Sequence, residues 1–365
     1  MTPEARPHVW ALCSFRSGES QQIIGLGEAL ERALGAQLRV LRPQWTERAD
    51  LLGLARRVSL DGLTPDFRRA LGARTPDVLV TASMRNEPIS RWFAGRSRTR
   101  TITVVLGRSW ARPEHFDLVA TTPQYRLPSH PNVLENAGTI HRLTHDALVD
   151  ARQAWAGAYA ALPRPRLGLL VGGNSGPYRL GPENTTRLAE RAASLAGNGS
   201  ILGTTSARTP ARTVATLQDA LGTEAVWRFD ASEANPYLGI LAWADALLVT
   251  GDSIAMTSEA VATGKPVRIF DLGAMADDAG IDLPDQDLSA RGYRWLMAHG
   301  HPRLTRDLAP AHRALIERAT AAGRDVAWDA KPLPTDLDDA VGAIDTTDVD
   351  TTVLRIRRLL TARRS

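Results

Sequence analysis

The feature that most restricts this chain is an alternation, repeated along both halves, of short apolar runs rich in Val, Ile and Leu with amphipathic helical stretches. Runs without polar alternation suit strands buried on both faces, and buried strands joined through helices make parallel βαβ units. In the first half, strands are expected at Val9–Ser14, Leu38–Leu41, Val78–Thr81, Thr101–Leu106 and Leu118–Ala120. The helix Gln21–Leu34 between the first two aligns Ile23, Leu26, Ala29, Leu30, Ala33 and Leu34 as a core-facing stripe. The second half repeats the pattern, with strands at Leu167–Val171, Ser200–Thr204, Val226–Phe229, Ala246–Thr250 and Val267–Phe270. Its helices are expected at Pro182–Ala196, Ala211–Leu221, Pro236–Trp243 and Ser253–Thr263.

A chain of 365 residues is long for one core, and the prolines of Leu162-Pro163-Arg164-Pro165-Arg166 interrupt a helix that begins near Thr144. The expected architecture is α/β, two Rossmann-like doubly wound domains, residues 1–163 and 164–330, facing across a cleft. Past residue 274 strands are no longer expected. Residues 331–365, acidic and Thr-rich over Asp336–Asp350 before a helix near Val349–Thr361, read as a peripheral element.

Composition excludes several classes. Hydrophobic residues at 43% and charged residues at 23% are globular usage, and no stretch approaches the roughly 18 apolar residues that span a bilayer. The N-terminus MTPEARPHVWALCS shows no secretory signal, so a cytoplasmic protein is expected. One cysteine, Cys13, excludes a disulfide framework and reads as a buried inert thiol. Residues 1–163 hold 21 Arg against 15 acidic residues, a balance of +6, which leaves 23 against 25, or −2, for the rest. No nucleic-acid-binding motif accompanies that charge, so no nucleic acid partner is expected.

Open α/β sheets bind ligands beyond the carboxyl ends of their strands, which directs attention to the strand-to-helix loops. The first loop, Ser14 to Ser20, is not a dinucleotide fingerprint. The nearest match, Gly25-Leu26-Gly27, lies inside a helix and has Leu30 where the third glycine belongs. In the second half, Gly172, Gly173, Asn174 and Ser175 follow the first strand, where glycines let backbone approach a ligand closely; a plain turn is the competing reading. Thr205, Ser206 and Arg208 bring hydroxyls and a guanidinium to a helix start, as a phosphate would require, and capping is the competing role for Ser206 and Thr209. In the segment Val249 to Ala260, a buried strand ends in a small-residue turn with Asp252, Ser253 and Met256 at the helix start and Glu259 two turns in. There a diphosphate would sit on the helix amides while the Glu259 carboxylate accepts from a ribose diol. Gly264-Lys265-Pro266 reads as a helix end followed by a strand.

Two metal-like patterns are set aside. Asp285-Gln286-Asp287 lies in an acidic run with Asp277, Asp278 and Asp282 and reads as a solvated loop; His299 and His301 lack carboxylate or cysteine partners at metal spacing.

The runs SFRSGESQQIIGLGEAL, VGGNSGPYRL, GTTSARTP and NPYLGILAWADALLVTGDSIAMTSEAVATGKPV resemble the mitochondrial fission factor (elongated-mitochondria) family of plants and its bacterial relatives, over most of residues 9–272. The family is usually regarded as glycosyltransferases of the GT-B type. Its TSRRTP segment usually has two arginines; here Ala207 replaces the first and Arg208 remains. The resemblance implies that the C-terminal domain holds a nucleoside diphosphate sugar as donor substrate. No cofactor and no metal are expected, since a helix N-terminus and basic side chains can stabilise the departing diphosphate. The acceptor would lie on the basic N-terminal domain. It is a lipid-linked or envelope glycan in this reading, with peripheral contact at the inner face of a membrane through Arg91, Arg96, Arg98, Arg100, Arg108 and Arg112. Glu19, in the first loop, is the candidate general base, against a role in favouring the positive end of its helix. The alternatives are a nucleotide-sugar 2-epimerase, which would need several acid/base residues around the sugar although the second-domain glycine loop offers no histidine to join them, and a non-catalytic nucleotide-binding or scaffold protein of the same fold.

Overall fold

The computed structural model describes residues 6–46, 58–72, 75–96, 101–273 and 284–364. Two compact units emerge, one of residues 1–142 with 346–365, the other of residues 143–345.

In the first unit β1 (His8–Leu12), β2 (Gln37–Leu41), β3 (Val78–Ala82), β4 (Ile102–Leu106), β5 (Leu118–Thr121) and β6 (Val133–Glu135) form one sheet in the order β2-β1-β3-β4-β5-β6. Every pairing is parallel. The helix Ser17–Leu34 lays Ile23, Leu26 and Leu30 on Val9, Ala11, Val78 and Val80, all buried, as its periodicity requires. β6 was not expected from the sequence: it is three residues long and only half-buried, so it lacks the apolar run that marks its neighbours.

The second unit contains β7 (Arg166–Val171), β8 (Ser200–Thr205), β9 (Val226–Trp227), β10 (Ala246–Thr250), β11 (Val267–Phe270) and β12 (Val326–Trp328). Their order is β12-β11-β10-β7-β8-β9, again all parallel. Chain order reverses between β7 and β10, which makes the carboxyl ends of that pair the crevice where such sheets bind ligands. β9 stops at Trp227 because the next pairing is taken by a side chain: the Phe229 amide donates to Thr205 Oγ1 at 3.0 Å. β12 corrects the expectation that strands end near residue 274. Arg268, fully buried in β11, holds that strand in place, pairing with Asp325 at 2.7 Å and donating to the Lys331 carbonyl at 3.0 Å.

The break between units falls after Arg142 rather than at 163. Thr144 caps the helix His145–Ala154, accepting from Ala147 N at 3.1 Å. That helix packs Leu148 and Ala151 with Ile240 and Trp243 in the second unit. Its stripe shows that it is amphipathic but does not say which sheet it covers. The tail is likewise not peripheral. Val349, Val353 and Ile356 of the helix Thr347–Arg364 are buried in the first core with Val9 and Ala11. Asp348 accepts from the amides of Ala137 (3.2 Å) and Gly138 (2.9 Å), and Asn136 donates to Thr352 Oγ1 at 3.0 Å.

Candidate functional site

Because β10, β7 and β8 are parallel neighbours, the loops that follow them leave the same edge. They are fastened to one another there. Thr250 Oγ1 accepts from the Gly172 amide at 2.8 Å and donates to Asp252 Oδ1 at 2.7 Å; Asp252 Oδ2 accepts from the Gly173 amide at 2.8 Å. Burial pushes the Asp252 carboxyl above the usual carboxylate range, and its hydrogen bonds with Gly173 and Thr250, with Arg208 at 3.6 Å, pull it back. Asp252 thus locks two loops together.

The glycine pair is explained by this packing. A Cβ on Gly172 would lie 2.3 Å from the Asp252 carboxylate, and one on Gly173 would lie 2.4 Å from the backbone carbonyl of Arg208. The third loop closes on the same point. Thr209 Oγ1 donates to the Gly172 carbonyl and accepts from the Ser206 amide at 2.9 Å, while Ser206 Oγ accepts from the Arg208 amide at 3.2 Å. The Arg208 side chain, 54% exposed, reaches the Asn174 carbonyl at 3.4 Å. Its guanidinium is held over the junction with donors left for a ligand.

Other expected residues serve the scaffold. Asn174 Oδ1 accepts from the Leu180 amide at 2.9 Å, Ser175 is buried and accepts from Arg306, and Thr205 joins β9 as described. Ser253 caps the helix Ile254–Ala262, accepting from Met256 N at 3.4 Å. The helix's first amides, Ile254 and Ala255, lie ahead of any intrahelical acceptor and are available to an anion. Met256 is partly buried against the core beneath.

Glu259 accepts from the Tyr237 hydroxyl at 2.5 Å, and burial pushes its carboxyl up to about 7 although this bond pulls it down. Tyr237 was not singled out in the sequence, since it lies 22 residues away and meets Glu259 only through the fold. Nor was His312. Its ring is fully buried and donates from Nε2 to the Gly251 carbonyl at 2.8 Å, directly under the turn that carries Asp252. Burial pulls it down to about 4, so it is neutral there. Lys265 is also a scaffold residue: Nζ donates to the carbonyls of Ala242 (2.9 Å) and Ala244 (2.5 Å), closing the carboxyl end of the helix Tyr237–Trp243.

In the first unit, Glu19 accepts from Ser14 Oγ at 2.5 Å and pairs with Arg16 at 3.3 Å. Both partners come from its own loop. Asp287 is exposed as expected, whereas Asp285 is half-buried. Asp285 accepts from the amides of Glu183 (3.3 Å) and Asn184 (2.8 Å) at the start of the helix Pro182–Ala196, and Asp287 caps the helix Leu288–His299. Asp277, Asp278, Asp282, Arg98 and Arg100, and the side chain of Arg96, lie outside the described residues. Among the described residues, no three His, Cys, Asp or Glu side chains gather as a metal would need, and no helix is long and apolar enough to cross a membrane.

The family model described as Mitochondrial fission ELM1 matches residues 17–319. The mitochondrial fission protein ELM1 of Arabidopsis thaliana is 34% identical over 164 residues, 44% of this chain. The match spans only 36% of that relative's length. Among solved structures, a UDP-glucosyltransferase from Polygonum tinctorium superposes over the full length of both chains with a TM-score of 0.50 and 12% identity. A UDP-GlcNAc 2-epimerase from Neisseria meningitidis, bound to UDP-GlcNAc, aligns with 86% of this chain and 99% of its own at a TM-score of 0.48 and 12% identity. At such identity the likeness is one of fold, that of the GT-B glycosyltransferases.

Proposed function

The chain belongs to the mitochondrial fission ELM1 family, and on that footing we propose that it is a glycosyltransferase of the GT-B type whose second unit holds a nucleoside diphosphate sugar. The observation that carries this reading is the junction of three loops at the β7/β10 switch point, with Arg208 exposed above it and Glu259 on the helix that starts there. In this assignment the amides of Ile254 and Ala255 and the Arg208 guanidinium take the diphosphate, and the charge that develops on the departing group is met by donors already in place. Glu259, in its ionised form, accepts from the ribose diol with Tyr237 steadying it. No resident metal is needed in this scheme. The acceptor, a lipid-linked or envelope glycan, falls to the first unit. To act as general base there Glu19 would have to give up the Ser14 hydroxyl, so we assign it to positioning the first loop.

Calorimetric titration of the full chain with UDP-, GDP-, ADP- and CDP-sugars tests the reading. One of them is expected to bind, and Arg208→Ala or Glu259→Ala to weaken it ten- to a hundredfold, as loss of a hydrogen bond to a charged group of roughly 1.5–3 kcal/mol implies. The assignment fails if none binds, or if both variants keep full affinity. Binding without sugar transfer to any glycan acceptor would leave the non-catalytic alternative.

A further inference from the structure

The carboxyl edge of the first sheet carries a second constellation that the nucleotide reading does not use. Arg85 follows β3 and Arg108 follows β4, whose last residues, Ala82 and Leu106, are register partners. Each guanidinium lies over two aromatic rings: Arg85 over Phe15 at 5.4 Å and Trp45 at 5.5 Å, Arg108 over Trp110 at 5.4 Å and Tyr125 at 5.2 Å. A ring face fixes the plane of a guanidinium but has no lone pairs for its N–H groups and does not cancel its charge.

Arg85 forms no ion pair among the described residues, and its Nε is buried without an acceptor. Of the carboxylates at this edge, Glu19 pairs with Arg16 and accepts from Ser14, and Glu87 accepts from the amides of Trp110 (2.6 Å) and Ala111 (2.9 Å). Ser109 Oγ and Gln124 Oε1, on residues 0% and 3% exposed, also lack partners among the described residues, as does Ser83 Oγ. Ser83, immediately after β3, and Arg126, at the end of the turn Pro123–Tyr125 that follows β5, take left-handed conformations, φ 72° and 49°. Neither is glycine, so the surroundings impose that backbone. The loops are nevertheless rigidly tied, since Asn86 Nδ2 donates to the carbonyls of Leu12 (3.2 Å) and Cys13 (2.9 Å). Orphaned polar atoms in a well-fastened loop set are what a bound polar group would satisfy.

We infer that this edge binds a phosphate or diphosphate group, with Arg85 as its principal ligand and the Ser109 hydroxyl as a second donor. A fork held flat by aromatic rings suits the oxygens of a phosphate better than a compact ammonium does. Phe15, 63% exposed, and Trp110, 41% exposed, stand beside it as apolar surface for whatever the phosphate is attached to. The site stands apart from the nucleotide-sugar reading.

The test is calorimetric titration of the full chain with inorganic pyrophosphate and, separately, geranyl diphosphate, in an Arg208→Ala background so that the second unit contributes least. Saturable binding is expected. Adding Arg85→Ala should weaken it about tenfold or more, while adding Arg32→Ala, an exposed arginine on the first helix, should leave it unchanged. Arg85→Lys keeps the charge but loses the fork, and a several-fold loss is expected; this variant carries the test if the alanine protein does not fold. Tighter binding of geranyl diphosphate would identify a lipid-linked group, and equal affinity a soluble phosphate ester. No saturable binding, equal losses in Arg85→Ala and Arg32→Ala, or full affinity in Arg85→Lys would overturn the inference. Failure of nucleotide binding in the wild-type chain would leave it standing.

Discussion

At the carboxyl edge of the second sheet the glycine backbone meets its neighbours directly, Gly172 against the Asp252 carboxylate and Gly173 against the Arg208 carbonyl. At that edge of the first sheet the loops meet through long side chains, Arg85 and Arg108 on four aromatic rings. Both sheets are six parallel strands, so topology alone would put a binding site at each. What differs is where the polar groups stand. The second edge satisfies most of its own, with Asp252 taking an amide and a hydroxyl, and presents one exposed guanidinium. The first leaves buried donors and acceptors unpaired among the described residues. Backbone closeness gives a rigid cradle of amides, whereas side-chain stacking gives oriented charge.

The largest expected effect breaks the cradle. Gly173→Ala drives a methyl group into the Arg208 carbonyl, a backbone atom that cannot move without the whole loop. Nucleotide affinity should fall more than a hundredfold, with about 3 kcal/mol lost from stability in chemical denaturation; wild-type affinity would show that the loops need not touch.

Next is the pH response of the same edge. With its carboxyl near 7, Glu259 must lose a proton to accept from a ribose diol, so affinity should drop by up to about tenfold per unit as pH falls below 7. Glu259→Gln should flatten that profile, and a wild-type profile without slope would remove Glu259 from the site.

A smaller effect lies under the turn. His312 is held near 4 in the fold against 6.5 when exposed, so its contribution is complete above 6.5 and is lost as pH falls toward 4. About 3 kcal/mol should disappear between pH 7.5 and 4. His312→Gln, which can still donate to the Gly251 carbonyl, should lose less over that interval in thermal denaturation; an unchanged loss would place the acid sensitivity elsewhere. The smallest concerns the first edge: Ser83→Gly relieves the left-handed backbone and should gain up to about 1 kcal/mol. A net loss would mean that the Ser83 side chain holds the loop.

All ten strands expected from apolar runs are present; those at the centre of each sheet are largely apolar because both faces are covered, whereas β2 at an edge is largely exposed. β6 and β12 escaped because three-residue edge strands carry no such run. At the site, the loops after β7, β8 and β10 could be read from glycines, hydroxyls and position alone, and the fold brings them together. What could not be read is who partners whom. Asp252 looked like a ligand residue and is spent on Thr250 and Gly173, while Tyr237 and His312 reach Glu259 and Gly251 only through helix packing. Arg85 hid among many arginines; its distinction is the pair of rings that flank it.

The helix Thr347–Arg364 has one more consequence. Ile356, which no solvent reaches, belongs to the core that Val9 and Ala11 begin, so the first unit is assembled from both ends of the chain. On the ribosome its opening 142 residues emerge without their closing piece, while residues 143–345 can fold as a continuous block. The first-made unit is therefore the last to be finished, and a ribosome that stalls before residue 346 releases a chain with one folded unit and one open core.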